Sequence, residues 1–189
     1  MQWSKTKKVL EGFLCEKLQG RVQIHATVLR KFHDSPGRVW ITFDQNEILR
    51  ASDVYYRREH EKVYQELKKN RELKPIPTST NLIEGMSTPE CKALWKASDD
   101  AEEVMIEQGI FETFHLYQPF LLYHTLSIED ALNSENVIIQ AFAMFDRRLG
   151  KRRLRTNDLD NQTNPLILRF YQIRCEVEGI QLPKTEMDS

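Results

Sequence analysis

Hydrophobic residues near the start of the chain recur with the spacing of an α-helix. Four of them fall at positions i, i+3, i+4 and i+8 on one helical face: Leu10, Phe13, Leu14 and Leu18. Ser4 can cap the beginning of such a helix, and Gly20 can end it. The pattern therefore predicts an amphipathic first helix between these two residues.

After Gly20 the period changes to two. Apolar and polar residues alternate in two runs, whose apolar members are Val22, Ile24, Ala26 and Val28 in the first and Val39, Ile41 and Phe43 in the second. A short third strand is predicted around Ile48 and Leu49. Turn-forming residues at 33–37 and 44–46 separate the runs, so the strands are expected to pair as an antiparallel meander. The first helix would cover the apolar face of this sheet.

The remainder of the chain has helical patterns with clear start and stop signals. A second helix is predicted from Ser52 or Asp53 to about Lys69. Residues 70–88 are rich in proline, serine and threonine and predict a linker or long loop.

Further helices are predicted on the C-terminal side of this loop. They begin after Thr88, Ser127, Asn136 and Asn164. The predicted ends are Gly109 for the first of these helices and Gly179 for the last. Two interruptions are also predicted: Pro119 kinks or splits the helical run 111–123, and Gly150 interrupts the helix that begins after Asn136.

Together these elements predict an α+β fold, with an N-terminal helix on a three-stranded antiparallel meander followed by a C-terminal helical bundle. The predicted organisation has four parts. They are an α/β meander unit at 1–70, a linker or loop at 71–88, a helical unit packed on the first at 89–180, and a loose tail at 181–189.

Composition is typical of a globular intracellular protein. The chain has 189 residues and a formal net charge of −1, so it has no global attraction to nucleic acid or to acidic membranes. The three cysteines Cys15, Cys91 and Cys175 are widely spaced in apolar helical patterns, which is typical of buried free thiols. Residues 1–8 lack the apolar segment of a signal peptide, and no segment is long and apolar enough to cross a bilayer. We expect a cytoplasmic protein with no membrane partner.

A basic segment is the strongest chemical feature of the sequence. It contains six cations in the nine residues from Arg147 to Arg155: Arg147, Arg148, Lys151, Arg152, Arg153 and Arg155. Such a segment can bind RNA, DNA or another anionic partner. It can equally pair with the chain's own carboxylates, since residues 97–135 contain nine acidic residues and no lysine or arginine. The near-zero net charge favours internal pairing. A second basic cluster near the N-terminus includes Lys5, Lys7, Lys8 and Lys17.

Polar residues on the predicted sheet form a second candidate surface. His25 alternates with the apolar residues of the first strand, and Arg38 and Trp40 do so in the second. These three side chains are expected on one face, where they could form a small binding surface. An ordinary solvent-facing sheet surface has the same pattern.

No known catalytic, phosphate-binding, dinucleotide-binding or zinc-binding motif occurs in the sequence. No catalytic residue, metal site or cofactor is therefore predicted.

Three segments of the chain resemble a family of small uncharacterised bacterial proteins. They are Trp3–Lys8, the stretch from Gly20–His25 to Gly37–Thr42, and Ser127–Leu154 together with Arg174–Ile180 near the end. One departure is Val137, where that family tends to have proline. The resemblance implies no particular activity, cofactor or partner.

Three functions agree with the sequence. The favoured one is a non-enzymatic protein-binding module, for instance a toxin-neutralising or regulatory partner. The first alternative is a nucleic-acid-associated protein that uses the basic segment. The second is an enzyme whose site assembles from scattered residues: His25, Arg38, Trp40, Asp146 and Arg148.

Overall fold

The N-terminal third of the chain builds a helix and a three-stranded sheet. The computed structural model describes residues 3–28, 36–76, 86–156, 159 and 163–181. Its strands are β1 (Val22–Val28), β2 (Pro36–Phe43) and β3 (Asn46–Ser52), which pair antiparallel in the order β1-β2-β3. The predicted meander is confirmed, and its third strand is longer than expected.

The turn between β2 and β3 is a tight two-residue hairpin. Asp44 and Gln45 both have positive φ, 47° and 68°. Two consecutive residues in this region form the turn whose twist suits a hairpin. The other predicted turn falls mainly on residues 33–35, which lie outside the described part of the chain.

The first helix, α1 (Trp3–Phe13), is shorter than the hydrophobic pattern predicts. Ser4 lies within its first turn rather than capping it. The helix ends before Leu14 because the following backbone pairs with a distant segment. The Cys15 N–H donates to the Phe145 carbonyl at 2.9 Å, and the Phe13 carbonyl accepts from the Arg147 N–H at 2.7 Å.

The rest of the described chain is helical. Its helices are α2 (Asp53–Asn70), α3 (Pro89–Glu107), α4 (Thr113–Tyr123), α5 (Ile128–Leu132), α6 (Val137–Phe145), α7 (Lys151–Arg155) and α8 (Pro165–Glu178). The predicted N-caps of α3, α5, α6 and α8 are confirmed, because each capping side chain accepts a bond from the first turn of its helix. Gly109 and Gly179 follow their helices with φ near +70°, as helix-ending glycines do.

The two predicted interruptions have different outcomes. Helix α4 runs through Pro119 without splitting, so the predicted split is wrong and the kink stays a prediction. Helix α6 ends at Phe145, five residues before Gly150. It stops there because the Asp146 carboxylate accepts a bond from the Arg148 N–H at 2.8 Å, which turns the chain out of the helix.

The inner face of the sheet and the helices share one hydrophobic cluster. Ile24, Val39 and Ile41 are fully buried on the sheet side. On the helical side, the rings of Phe145 and Phe170 stack with their centroids 4.4 Å apart. The α+β architecture is thus confirmed, whereas the division at 71–88 stays a prediction, since residues 77–85 and the tail from 182 lie outside the described ranges.

In the part of the chain that the structure describes, we find no helix whose length and apolar character would let it cross a bilayer.

Candidate functional site

The outer face of the sheet brings together the three sheet residues predicted from the sequence. His25 lies directly opposite Trp40 in the β1–β2 register, and Arg38 is two residues away on β2. The rings of His25 and Trp40 stack with centroids 5.0 Å apart, and the Arg38 guanidinium lies 4.7 Å from the centre of the Trp40 ring. These three side chains form one contiguous group.

A β-bulge adds charged residues to the same face. The register shifts between Ile41 and Thr42, so Ile41 faces Leu49 while Thr42 faces Glu47. The extra residue on β3 places Glu47 and Arg50, which are three positions apart, on one side of the sheet. Without the bulge, these two residues would point to opposite faces.

Contacts between these residues form a continuous line from β1 to α2. The Glu47 carboxylate contacts the guanidinium of Arg38 and lies 3.8 Å from Nε of Arg50. The guanidiniums of Arg50 and Arg58 each lie 5.2 Å from the ring centre of Tyr55. We call this line the outer-face ladder; its members are His25, Trp40, Arg38, Glu47, Arg50, Tyr55 and Arg58.

The ladder is accessible yet held in place. The side chains of Arg38, Glu47 and Arg50 are 43%, 32% and 56% exposed. Cation–π contacts and ion pairs orient the guanidiniums, so these side chains lose less conformational entropy when a partner binds.

His25 contributes a neutral ring to the ladder at neutral pH. Its Nε2 lies 3.2 Å from the Thr42 hydroxyl. Burial, helped by the nearby charge of Lys7, lowers the pKa of His25 below its ordinary value of 6.5, although Glu11 opposes the shift. The cations of the ladder are therefore its arginines.

Within the basic segment, Arg148 contacts three other parts of the fold. It binds the carboxylate of Asp146, which is fully buried and also accepts a bond from the Tyr123 hydroxyl at 2.7 Å. The same guanidinium donates to the Leu126 carbonyl at 2.7 Å and lies 4.5 Å from the Phe13 ring centre. Arg148 thereby ties the loop after α6 to the ends of α1 and α4.

The other cations of the segment divide into paired and unpaired residues. Lys151 binds Glu178 at 2.8 Å, and Arg153 binds Glu129 at 2.7 Å. Glu129 is the member of the acidic stretch 97–135 that pairs with this segment; the other partners, Asp146 and Glu178, lie outside that stretch. Three further cations are exposed and form no ion pair with the described residues: Arg147, Arg152 and Arg155.

The N-terminal basic cluster is also partly neutralised. Lys7 pairs with Glu11 at 3.6 Å, and Arg21, which lies near this cluster in the sequence, pairs with Asp44 at 2.5 Å.

The residues proposed for an enzyme fall into two separate groups. His25, Arg38 and Trp40 belong to the outer-face ladder, whereas Asp146 and Arg148 contact one another and the ends of helices. Among the described residues, no bond, ion pair or ring contact joins the two groups.

The cysteines of the described part of the chain lie in settings that disfavour a reactive thiolate. Cys15, Cys91 and Cys175 are buried and free, as predicted, although Cys15 follows α1 instead of lying in a helix. Burial raises the pKa of the Cys15 and Cys175 thiols, which disfavours the reactive thiolate. No cluster of His, Cys, Asp or Glu among the described residues could hold a metal ion.

Sequence reasoning missed four ladder members: Glu47, Arg50, Tyr55 and Arg58. Strict alternation along β3 does not predict that Glu47 and Arg50 share a face, since only the bulge puts them there. Tyr55 and Tyr56 are adjacent at the start of α2, and two adjacent helical residues do not share a face. Tyr56 is the buried member of this pair, so the sequence offered a signal that the other tyrosine faces outward.

The fold and the ladder define an α+β protein with an aromatic and arginine-rich surface on an open sheet face. A family model matches residues 2–175, and the chain belongs to the SF0329 protein family. The matched range includes the segments that carry the resemblance described above, except residues 176–180. No curated protein and no solved structure matches the chain.

Proposed function

We propose that the chain is a non-enzymatic protein-binding module that docks a partner on the outer-face ladder, as a toxin-neutralising or regulatory protein does. The observation that carries this proposal is the set of cation–π contacts on the outer face, Arg38 over Trp40 and Arg50 and Arg58 over Tyr55, which Glu47 joins into one surface. Tryptophan, tyrosine and arginine are the residues that most often dominate binding energy at protein interfaces.

The charges of the ladder support a protein partner over nucleic acid. Each ladder arginine already lies beside a carboxylate. Glu47 pairs with Arg38 and Arg50, and Glu59 binds Arg58 at 2.8 Å. Phosphate binding depends on cations that can neutralise the nucleic-acid backbone. Carboxylates within the same surface oppose that attraction.

Nucleic-acid binding is the second candidate. The exposed arginines Arg147, Arg152 and Arg155 favour it, because they form no ion pair with the described residues. Arg152 and Arg155 lie three residues apart on α7 and Arg147 precedes this helix, so three of the six cations of the segment remain for a polyanion.

The proposed setting is the cytoplasm of a bacterial cell. Three free cysteines suit a reducing compartment, and the motif resemblance points to bacteria.

The docking proposal predicts that a partner is lost when the ladder is truncated. The tagged chain serves as bait in a lysate of the organism that encodes it, beside a variant carrying Trp40→Ala and Arg50→Ala. A stoichiometric protein partner should bind the unmodified chain and weaken about 30-fold or more with the variant, as expected for hot-spot residues. Affinity measured on the purified partner provides the test.

The matched control is Trp95→Ala with Arg152→Ala, since Trp95 is 48% exposed and forms no ring or cation–π contact with a ladder residue. This control should retain the partner. Loss of the partner in the control but not in the ladder variant contradicts the proposal, and co-purified RNA in place of a protein favours the second candidate.

A further inference from the structure

We propose that the outer-face ladder contains a carboxylate clamp, in which Glu47 occupies the position that an acidic side chain of the partner takes on docking. This inference rests on the docking function proposed above and adds the chemistry of the partner. The ligand class is the carboxylate of an aspartate or glutamate in an acidic protein segment.

The clamp consists of two guanidiniums that converge on one carboxylate. One oxygen of Glu47 contacts Nη2 of Arg38, and the other lies 3.8 Å from Nε of Arg50. Each guanidinium also lies over an aromatic ring, Arg38 over Trp40 and Arg50 over Tyr55. The rings hold the two arginines at a separation that accepts a planar carboxylate, whichever chain supplies it.

Glu47 is held weakly enough to exchange. Its side chain is 32% exposed, and those of its two partners are 43% and 56% exposed. Exposed ion pairs contribute little net stability, because water solvates the separated charges almost as well. Asp146 offers the contrast, since its carboxylate is fully buried and bound by Tyr123 and Arg148 and has no route of exchange.

The surroundings favour a carboxylate from a protein over a phosphate of nucleic acid. Glu47 remains beside the clamp after it is displaced, and Glu59 lies next to Arg58 on the same ladder. A single carboxylate tolerates these neighbours better than a phosphate chain, whose charge continues across the surface.

The test is to remove the internal carboxylate and to offer the clamp a defined anion. Glu47→Gln keeps the shape of the side chain but removes its charge. A fluorescein-labelled, C-terminally amidated decapeptide that carries one glutamate among neutral residues is titrated at low salt and followed by fluorescence anisotropy. We expect Glu47→Gln to tighten its binding about two- to five-fold, the range that an exposed ion pair accounts for. Arg38→Gln should weaken binding below that of the unmodified protein.

Controls separate the clamp from a general charge effect. Glu103→Gln makes the same change in net charge at an exposed residue of α3 and should leave peptide affinity near that of the unmodified protein. Glu47→Asp retains the charge on a shorter side chain and should give an intermediate affinity. Thermal unfolding confirms that every variant is folded.

The clamp is overturned if Glu103→Gln tightens peptide binding as much as Glu47→Gln does. It is also overturned if a labelled ten-nucleotide RNA gains more affinity than the peptide. Failure of the docking function has a different signature, because the purified partner would then bind the Trp40→Ala, Arg50→Ala variant as well as it binds the unmodified chain. If the Trp40→Ala, Arg50→Ala variant loses the partner while Glu47→Gln binds the peptide with unchanged affinity, the clamp alone is overturned and the docking function stands.

Discussion

Two buried carboxylates, Asp146 and Glu178, neutralise two of the six cations between Arg147 and Arg155. Asp146 engages Arg148, and Glu178 engages Lys151 and Arg174. Arg174 also donates to the backbone carbonyls of Phe145, Asp146 and Leu149. These residues fix the loop between α6 and α7 against α8. Part of the basic segment, which resembles a nucleic-acid-binding segment in sequence, therefore stabilises the fold.

Glu178 makes the stability contributed by these contacts depend on pH. Burial alone raises the pKa of the Glu178 carboxyl, but the bond to Lys151 and the charges of Arg174 and Lys151 outweigh burial. The pKa in the folded protein therefore lies below the ordinary value of 4.5. A carboxyl with a depressed folded pKa contributes stability that is complete above the unfolded value and is lost as the pH falls through the folded value.

Glu178→Gln should therefore destabilise the protein at pH 7, by about 3 kcal/mol, because it leaves the buried Arg174 without its carboxylate. The difference in free energy of unfolding from the unmodified protein should shrink below pH 4.5. Urea denaturation at pH 7 and pH 3 measures both values. Glu176→Gln, at an exposed position of the same helix, is the control and should change stability little at either pH. A difference that stays constant with pH would contradict this account of Glu178.

At the scale of single elements, helix ends follow from local chemistry. Asn136 caps α6 by accepting bonds from the Ile138 and Ile139 N–H groups at 3.0 and 3.2 Å. Its own backbone is extended, with φ −82° and ψ 114°, which is the conformation that proline prefers in the residue before it. Val137 is thus at the first helical position, where a proline costs no helical hydrogen bond.

Proline at this position should stabilise the fold relative to alanine. Val137→Pro and Val137→Ala both remove the valine contacts, so comparing them isolates the effect of the proline ring on the unfolded chain. We expect Val137→Pro to be more stable than Val137→Ala by about 0.5–1 kcal/mol, as measured by chemical denaturation. A proline variant that is less stable than the alanine variant would show that the backbone near Asn136 does not fit proline.

The β-bulge is an element-scale feature with a functional consequence. It places Glu47 and Arg50 on the same face and so completes the ladder between Arg38 and Tyr55. A regular β3 would break the line of contacts and leave the two ends of the ladder separate.

At the scale of the whole molecule, the charges are nearly balanced and partly paired. The net charge is −1, and half of the six cations between Arg147 and Arg155 have carboxylate partners among the described residues. A protein of this kind has little long-range attraction for a polyanion at physiological salt.

The chain should accordingly leave a heparin column early in a salt gradient. Charge reversal of the three exposed arginines, Arg147→Glu with Arg152→Glu and Arg155→Glu, should shift its elution only slightly. Retention beyond about 0.3 M salt that disappears in this triple variant would favour the nucleic-acid alternative, since strong salt-dependent binding requires several phosphate contacts. Thermal unfolding checks that the triple variant is folded.

Part of the candidate site was visible in the sequence. Alternation along β1 and β2 was enough to place His25, Arg38 and Trp40 on one face, because side-chain direction in a strand repeats every two residues. Glu47 and Arg50 could not be placed in this way, since a bulge depends on how β3 pairs with its neighbour. The internal partners of Lys151 and Arg153 were equally hidden, because they lie more than twenty residues away along the chain.

The sequence by itself determined the class of fold, the order of the strands and most helix ends. These follow from periodicity and from capping side chains such as Thr88 and Asn164, which act on backbone groups within a few residues. Only the tertiary structure decided where α1 ends, which cations are neutralised and how the ladder is completed. Each of these depends on segments far apart in the chain meeting in space, and no local pattern of residues encodes that meeting.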